Sequence, residues 1–236
     1  MSMIIILLGF LWYQFISVFG LSIGLHRYFA HKQFNFKFHS MLSETLVLFL
    51  SLLAGSRSPI GWIGAHRIHH RYSDTKKDPH SPLHKGFLNV LFSAWKVQSI
   101  PVRHVRDLYS NSRVMFFHNH WIKIWAATGL FTLWISPECF FIFVVSPAVY
   151  GWISFGIFNA FGHKNGKPVR NRFINLLSGG EGHHNVHHKN SKKIVLSKYD
   201  ISGLIIENTE IKRNNKIENF DAMWSSSLTD SSIKGK

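Results

Sequence analysis

Histidine is the residue type in this chain whose spacing could do chemistry. Sixteen are present, and eight of them fall in three tight clusters. His26 and His31 stand five apart in H-R-Y-F-A-H, while His66, His69 and His70 make H-R-I-H-H. His184, His187 and His188 make H-N-V-H-H, preceded by Gly180-Glu181-Gly182-His183. The spacing i, i+3, i+4 in the last two clusters puts three imidazoles on one face of a helix, where they can converge on metal. Residues five apart do not share an α-helical face, so His26 and His31 are expected to straddle the end of a helix. His39, His84, His104, His118 and His120 stand alone and read as residues satisfied by ordinary hydrogen bonds.

Zinc-type sites use four ligands, so eight or nine imidazoles imply two ions. Imidazole suits zinc, copper, iron and nickel alike, and ligand type does not choose among them. A neutral, all-nitrogen pair of ions beside an apolar membrane interior suits oxidation of a hydrocarbon by activated dioxygen. Iron is therefore the expected metal. The single cysteine, Cys139, excludes an intrachain disulfide, a cysteine-based zinc site and a cysteine-ligated iron–sulfur cluster.

The elements that must carry these clusters are apolar. Residues 4–25 form an almost unbroken run of about the twenty residues needed to cross a bilayer, ending in His26-Arg27. The run lacks the basic start and cleavage site of a secretory signal and reads as a retained helix. Residues 41–54 reach only about 21 Å against a hydrocarbon core of about 30 Å, which suits an interfacial or re-entrant helix. Residues 121–136 and 140–161 read as a hairpin turning at Ser136-Pro137-Glu138-Cys139. The expected fold is all-α, a multi-pass integral membrane protein with about three spans and a cytoplasmic helical cap bearing the histidines. Residues 1–200 form one unit, and 201–236 form a polar tail with a Ser-rich end, 225–232, and about the last dozen residues of the tail are expected to be disordered.

The formal charge of +15 would suit nucleic acid, but its distribution argues otherwise. No Lys or Arg precedes Arg27 and none lies between Lys123 and Lys164. Basic stretches separated by apolar segments are the pattern of positive-inside topology, with the lipid bilayer as partner. If 41–54 does not cross, residues 26–120 and 163–236 share the cytoplasmic face. All three clusters then lie where they can meet; had 41–54 crossed, the first two could not share a metal.

H-R-Y-F-A-H, then H-R-I-H-H-R-Y-S-D-T-K-K-D-P-H-S-P, then G-E-G-H-H-N-V-H-H resemble the three boxes of the membrane fatty-acid desaturase family, in particular its delta-9 acyl-CoA and acyl-lipid branch. The resemblance runs from about Leu21 to His188. It implies a further ligand from an N-x-x-x-H element, matched by Asn159-Ala160-Phe161-Gly162-His163. Nine catalytic, iron-binding histidines follow: His26, His31, His66, His69, His70, His163, His184, His187 and His188, with Asn159 reaching one iron through a water. The implied reaction uses two iron ions, dioxygen and two electrons to leave a cis double bond in a saturated acyl chain, presented as acyl-CoA or acyl-lipid. The electrons would come from a separate carrier of cytochrome b5 or ferredoxin type, since the sequence holds no cysteine cluster and no dinucleotide-binding glycine pattern.

Several positions depart from the family pattern. The chain begins where the family has its second membrane helix, so the four expected spans become three. Gly64-Ala65 precede His66 where animal acyl-CoA desaturases tend to have Arg-Asp, and His183 replaces an aromatic and reads as an outer partner. The region after His188 matches poorly and points to a reduced cap. Asp74, Asp78, Glu181 and Asn185 are expected to hold imidazole tautomers. Trp62, Trp152 and Phe155 are candidates to line an apolar tunnel, and Arg71, Lys76 and Lys77 to meet a phosphate-bearing head group. Two other readings use the same residues, a diiron hydroxylase or ketolase and a non-catalytic membrane metal-binding protein.

Overall fold

The computed structural model describes residues 2–37, 40–93, 96 and 99–209, so the Ser-rich end of the tail and His39 lie outside the described residues. Helix α1 (Met3–Ala30) has 28 residues and no charge before Arg27. Its first half, Met3–Ile16, is α-helical; its second, Ser17–Ala30, is wound as a π-helix. Backbone bonds there join residues five apart, as His31 N donates to His26 O at 3.0 Å. Residues at that spacing sit over one another, and the His26 and His31 rings approach to 4.8 Å between centroids. The expectation that spacing five separates their faces assumed α winding, and the π winding corrects it.

Helix α2 (Ser40–Ser56) runs back along the π-wound half of α1. A Cβ on Gly20 would lie 2.3 Å from Ser51 N, and one on Gly24 would lie 2.7 Å from Val47 Cβ, so these glycines allow the two backbones to approach. After a break at Arg57 the chain turns by 74° into α3 (Pro59–Tyr72). Ser58 Oγ caps α3 by accepting from Gly61 N at 3.2 Å, and Pro59 fits the first turn, where no N–H is needed. This sharp bend suits a broken span as well as a re-entrant loop, and it brings α3 to the end of α1.

Two short helices, α4 (Pro82–Lys85) and α5 (Phe87–Ser93), lead through tight turns over 102–108 to a helical hairpin. Its arms are α6 (Ser112–Ile135) and α7 (Pro137–Phe161), joined by one extended residue, Ser136, whose Oγ accepts from Cys139 N at 3.1 Å. Helix α6 starts well before residue 121 because Asn111 caps it, accepting from Arg113 N at 3.0 Å and Val114 N at 3.2 Å. On length and composition α1 and α7 can cross a membrane, and the bent α2–α3 pair makes a third apolar stretch. Helix α6 has the length, 24 residues, but carries Arg113, His118, His120 and Lys123 in its first half.

Residues 162–209 build a cap over the ends of α1, α3 and α7. It contains the strands β1 (His163–Lys164) and β2 (Lys167–Pro168) and the helices α8 (Arg172–Leu177), α9 (His184–Lys189) and α10 (Ile201–Asn208). The strands turn at Asn165 (φ 51) and Gly166 (φ 70), the left-handed pair that a two-residue hairpin demands. Helix α10 belongs to the stretch expected as tail, yet it packs on the π-wound half of α1. Ile206 is buried there with Val18, Ile23, Phe34 and Ile194, and Ser202 N donates to Gly179 O at 3.1 Å. The fold is that of an all-α membrane protein with a helical cap.

Candidate metal centre

The nine histidines expected as ligands come from four elements: the end of α1, α3, β1 and α9. They fall into two groups. His26, His31, His66, His70 and His187 form one, and His69, His163, His184 and His188 the other. One ring nitrogen of each lies within 4.8 Å of all the others in its group. Helical spacing predicts one shared face for each triplet, and the structure divides that face. The first and last members of each triplet serve one group; the middle member, His69 or His187, crosses to the other.

Nε2 of His187 lies 3.0 Å from Nε2 of His26 and 3.1 Å from Nε2 of both His31 and His70. A single N–H points at one acceptor, so hydrogen bonding cannot satisfy this cluster. A cation about 2.1 Å from each nitrogen can, because its neighbouring ligands then stand roughly 3.0–3.4 Å apart. Nε2 of His184 likewise lies 3.0 Å from those of His163 and His188. Burial, and after it the surrounding imidazoles, push His184 and His188 below the ordinary histidine value, His188 to about 2. Both are lone-pair donors at neutral pH, the form a transition metal takes.

Carboxylates hold the far side of three rings. His69 Nδ1 donates to Asp78 Oδ1 at 2.9 Å, His163 Nδ1 to Asp74 Oδ2 at 2.7 Å, and His26 Nδ1 to Glu181 Oε1 at 3.0 Å. A proton kept on Nδ1 leaves Nε2 free for metal. Asp78 also accepts from the backbone N–H groups of Asp74 and His80, both at 2.8 Å, which folds the loop after α3 around itself. Burial alone raises a carboxyl, but Arg27 and His26 outweigh it and hold Glu181 well below the usual carboxylate range. Asn185 does not join this set: its Oδ1 is buried without a hydrogen-bond partner. His183 is buried outside both groups, at the N-cap of α9.

The sequence reading took the basic residues as topology signals and possible head-group contacts, and missed what two arginines do. Arg27 is 1% exposed. Its Nε donates to Glu181 Oε1 at 3.0 Å, its Nη2 to both oxygens of Asp200 at 2.9 Å, and its Nη1 to Ile194 O. Arg67 spends every N–H. Nε donates to Ala30 O at 3.2 Å, Nη1 to His104 O at 2.9 Å and Asp107 Oδ1 at 2.7 Å, and Nη2 to Phe29 O at 2.8 Å and Asp107 Oδ2 at 3.0 Å. Phe29 and Ala30 carry the open carbonyls at the end of α1, so Arg67 caps that helix while tying it to α3. The available signal was the dipeptide His-Arg, which opens both boxes.

A cavity of about 550 Å³ runs from His26 and His66 along α1 and α3, a size ordinary for small-molecule sites. Leu21, Ile60, Trp62, Phe155 and Phe158 give it apolar walls, and Tyr13 and Ser17 line it deeper along α1. Trp62 stacks on His66 with centroids 5.2 Å apart. Trp152, expected as a third tunnel residue, is instead 42% exposed and packs beside Phe92. Asn159 lines the cavity, with its amide donating to Phe155 O at 2.9 Å. The cations on the wall are Arg57 and Lys96, whereas Arg71 and Lys77 lie against the Tyr72 ring.

No protein-family model matches the chain. It is 30% identical to the sn-1 stearoyl-lipid 9-desaturase of Synechocystis sp. over 195 residues, 77% of this chain and 60% of that one. It is 31% identical to the sn-1 stearoyl-lipid 9-desaturase of Anabaena variabilis over 183 residues, 72% and 65% of the two chains. An acyl-CoA 5-desaturase of Anemone leveillei is 26% identical over 193 residues, 75% of this chain and 58% of that one. The chain thus spans about 60% of the length of the first of these curated relatives. Identity sustained over about three quarters of the chain, by proteins named for one reaction class, supports the membrane fatty-acid desaturase family.

Proposed function

We propose that the protein is an oxygen-dependent acyl desaturase. It holds one iron ion in each histidine group and introduces a cis double bond, at the delta-9 position, into a saturated chain carried as acyl-CoA or acyl-lipid. The observation that carries this reading is the convergence of nine imidazoles on two points beside an apolar cavity. Two relatives are named for stearoyl-lipid and the 9 position, and a third for acyl-CoA and the 5 position, which is why both carriers stay in the proposal.

Iron, when bound, supplies the activation of dioxygen. The chain's own residues do the rest. His26, His31, His66, His70 and His187 hold one ion, and His69, His163, His184 and His188 the other, with Asn159 reaching one through a water. Asp74, Asp78 and Glu181 keep the ring protons on Nδ1. Trp62, Phe155 and Phe158 keep water from the acyl chain and set which methylenes lie beside His26 and His66. Dioxygen ends as two waters, formed with two substrate hydrogens, two solvent protons and two electrons. The electrons come from a cytochrome b5 or ferredoxin type of carrier docking on the basic cap, which faces the cytoplasm.

Gas chromatography of lipids from a desaturase-deficient host expressing this chain tests the reading, with a His69→Ala control. A new monounsaturated chain is expected, absent from the control. Hydroxy acid without alkene, or two bound irons with no oxygen-dependent product, would overturn it.

A further inference from the structure

We propose that Asp200 is a positioning residue for the five-histidine group, acting through Arg27 and Glu181 on His26. The inference rests on the reading that this group holds a metal ion. Asp200 is fully buried at the N-terminus of α10, outside every histidine box. Leu196 N and Gly203 N each donate to it at 2.8 Å, which locks the carboxylate to its own segment. Both of its oxygens receive Arg27 Nη2 at 2.9 Å.

The guanidinium continues to Glu181, through Nε at 3.0 Å and Nη2 at 2.9 Å, and Glu181 Oε1 receives the Nδ1 proton of His26 at 3.0 Å. Alone between an arginine and an imidazole, Glu181 would be neutralised by the arginine. Asp200 places a second negative charge on the same guanidinium, so Arg27 is shared and Glu181 keeps charge for His26. A stronger acceptor at Nδ1 makes Nε2 a better metal donor. Arg27, Asp200 and Glu181 are all buried, where such charge effects are strong. The four-histidine group takes its carboxylates from Asp74 and Asp78, on another segment. The influence of Asp200 is therefore confined to one group.

The test uses full-length protein purified with its iron, and follows release of ferrous ion to an excess of a colour-forming chelator. Asp200→Asn keeps the shape of the side chain and an oxygen for Gly203 N. It is expected to release one of two irons about 10–100-fold faster than the parent and the other at the parental rate. Ser202→Ala removes the hydroxyl that donates to Gly179 O at 3.1 Å, loosening α10 without altering charge, and should leave both rates alone. Faster release of both irons together by Asp200→Asn, parental rates for both irons in it, or the same one-iron effect in Ser202→Ala would each overturn the proposal. Parent protein that binds no iron would overturn the metal reading itself, and this inference with it.

Discussion

A carboxylate behind a metal-binding imidazole sets both the direction of the ring and its basicity, and for His69 that carboxylate is Asp78. Asp78→Asn is expected to weaken metal retention in the four-histidine group about 10–100-fold. Metal content after dialysis reads this out, and unchanged content would remove Asp78 from the role. Asp107 acts on the frame instead, pairing with Arg67 at 2.7 and 3.0 Å and with Lys32 at 2.7 Å. Burial raises its carboxyl, but Arg67 and Lys32 outweigh that and hold it below the ordinary value. With the folded value depressed, its contribution is present above the unfolded value of about 3.9 and is lost as pH falls through the folded one. Asp107→Asn should cost about 1–3 kcal/mol at neutral pH. The deficit should shrink as the medium is acidified below about pH 4. Thermal unfolding in detergent measures both, and a deficit that persists in acid would assign the loss to packing. The histidines were legible in the sequence because their types and spacings are rare together. Asp200 was not, because its link to Arg27 joins positions 173 residues apart and no local pattern announces it.

Local chemistry explains the elements unevenly. Ser58-Pro59 and Asn111 are ordinary helix starts. The π winding of α1 has no such signal, since the same apolar residues also suit an α-helix. The hairpin that carries His163 was readable from Asn165-Gly166, a pair that the sequence reading passed over. Gly166 has φ 70, and a Cβ there would meet Leu83 Cδ2 at 3.2 Å. Gly166→Ala should therefore cost about 1–2 kcal/mol from left-handed strain. It should also loosen metal in the four-histidine group while sparing the other. Unfolding midpoints and metal content of the variant test this together, and parental values of both would show that the turn does not set His163.

For the whole molecule, the centre depends on α1, α3, β1 and α9 meeting at one place. On the topology proposed above, the turn between α6 and α7, where Cys139 lies, is on the face of the membrane opposite the centre. Cys139 is the sole cysteine, so a membrane-impermeant maleimide should label it in intact cells. A cysteine placed at Lys193, in the cap, should label in a Cys139→Ser background only after permeabilisation. Labelling of both positions from outside would break the proposed topology. The π-wound half of α1 constrains the molecule in one more way. Between Tyr13, deep along the cavity, and His26, at the centre, the helix works as a measured spacer. Deleting a single residue from it would leave the span as apolar as before, yet turn everything upstream by roughly a quarter of a turn relative to His26. A change of one in the residue count would part the cavity's inner wall from the centre it serves.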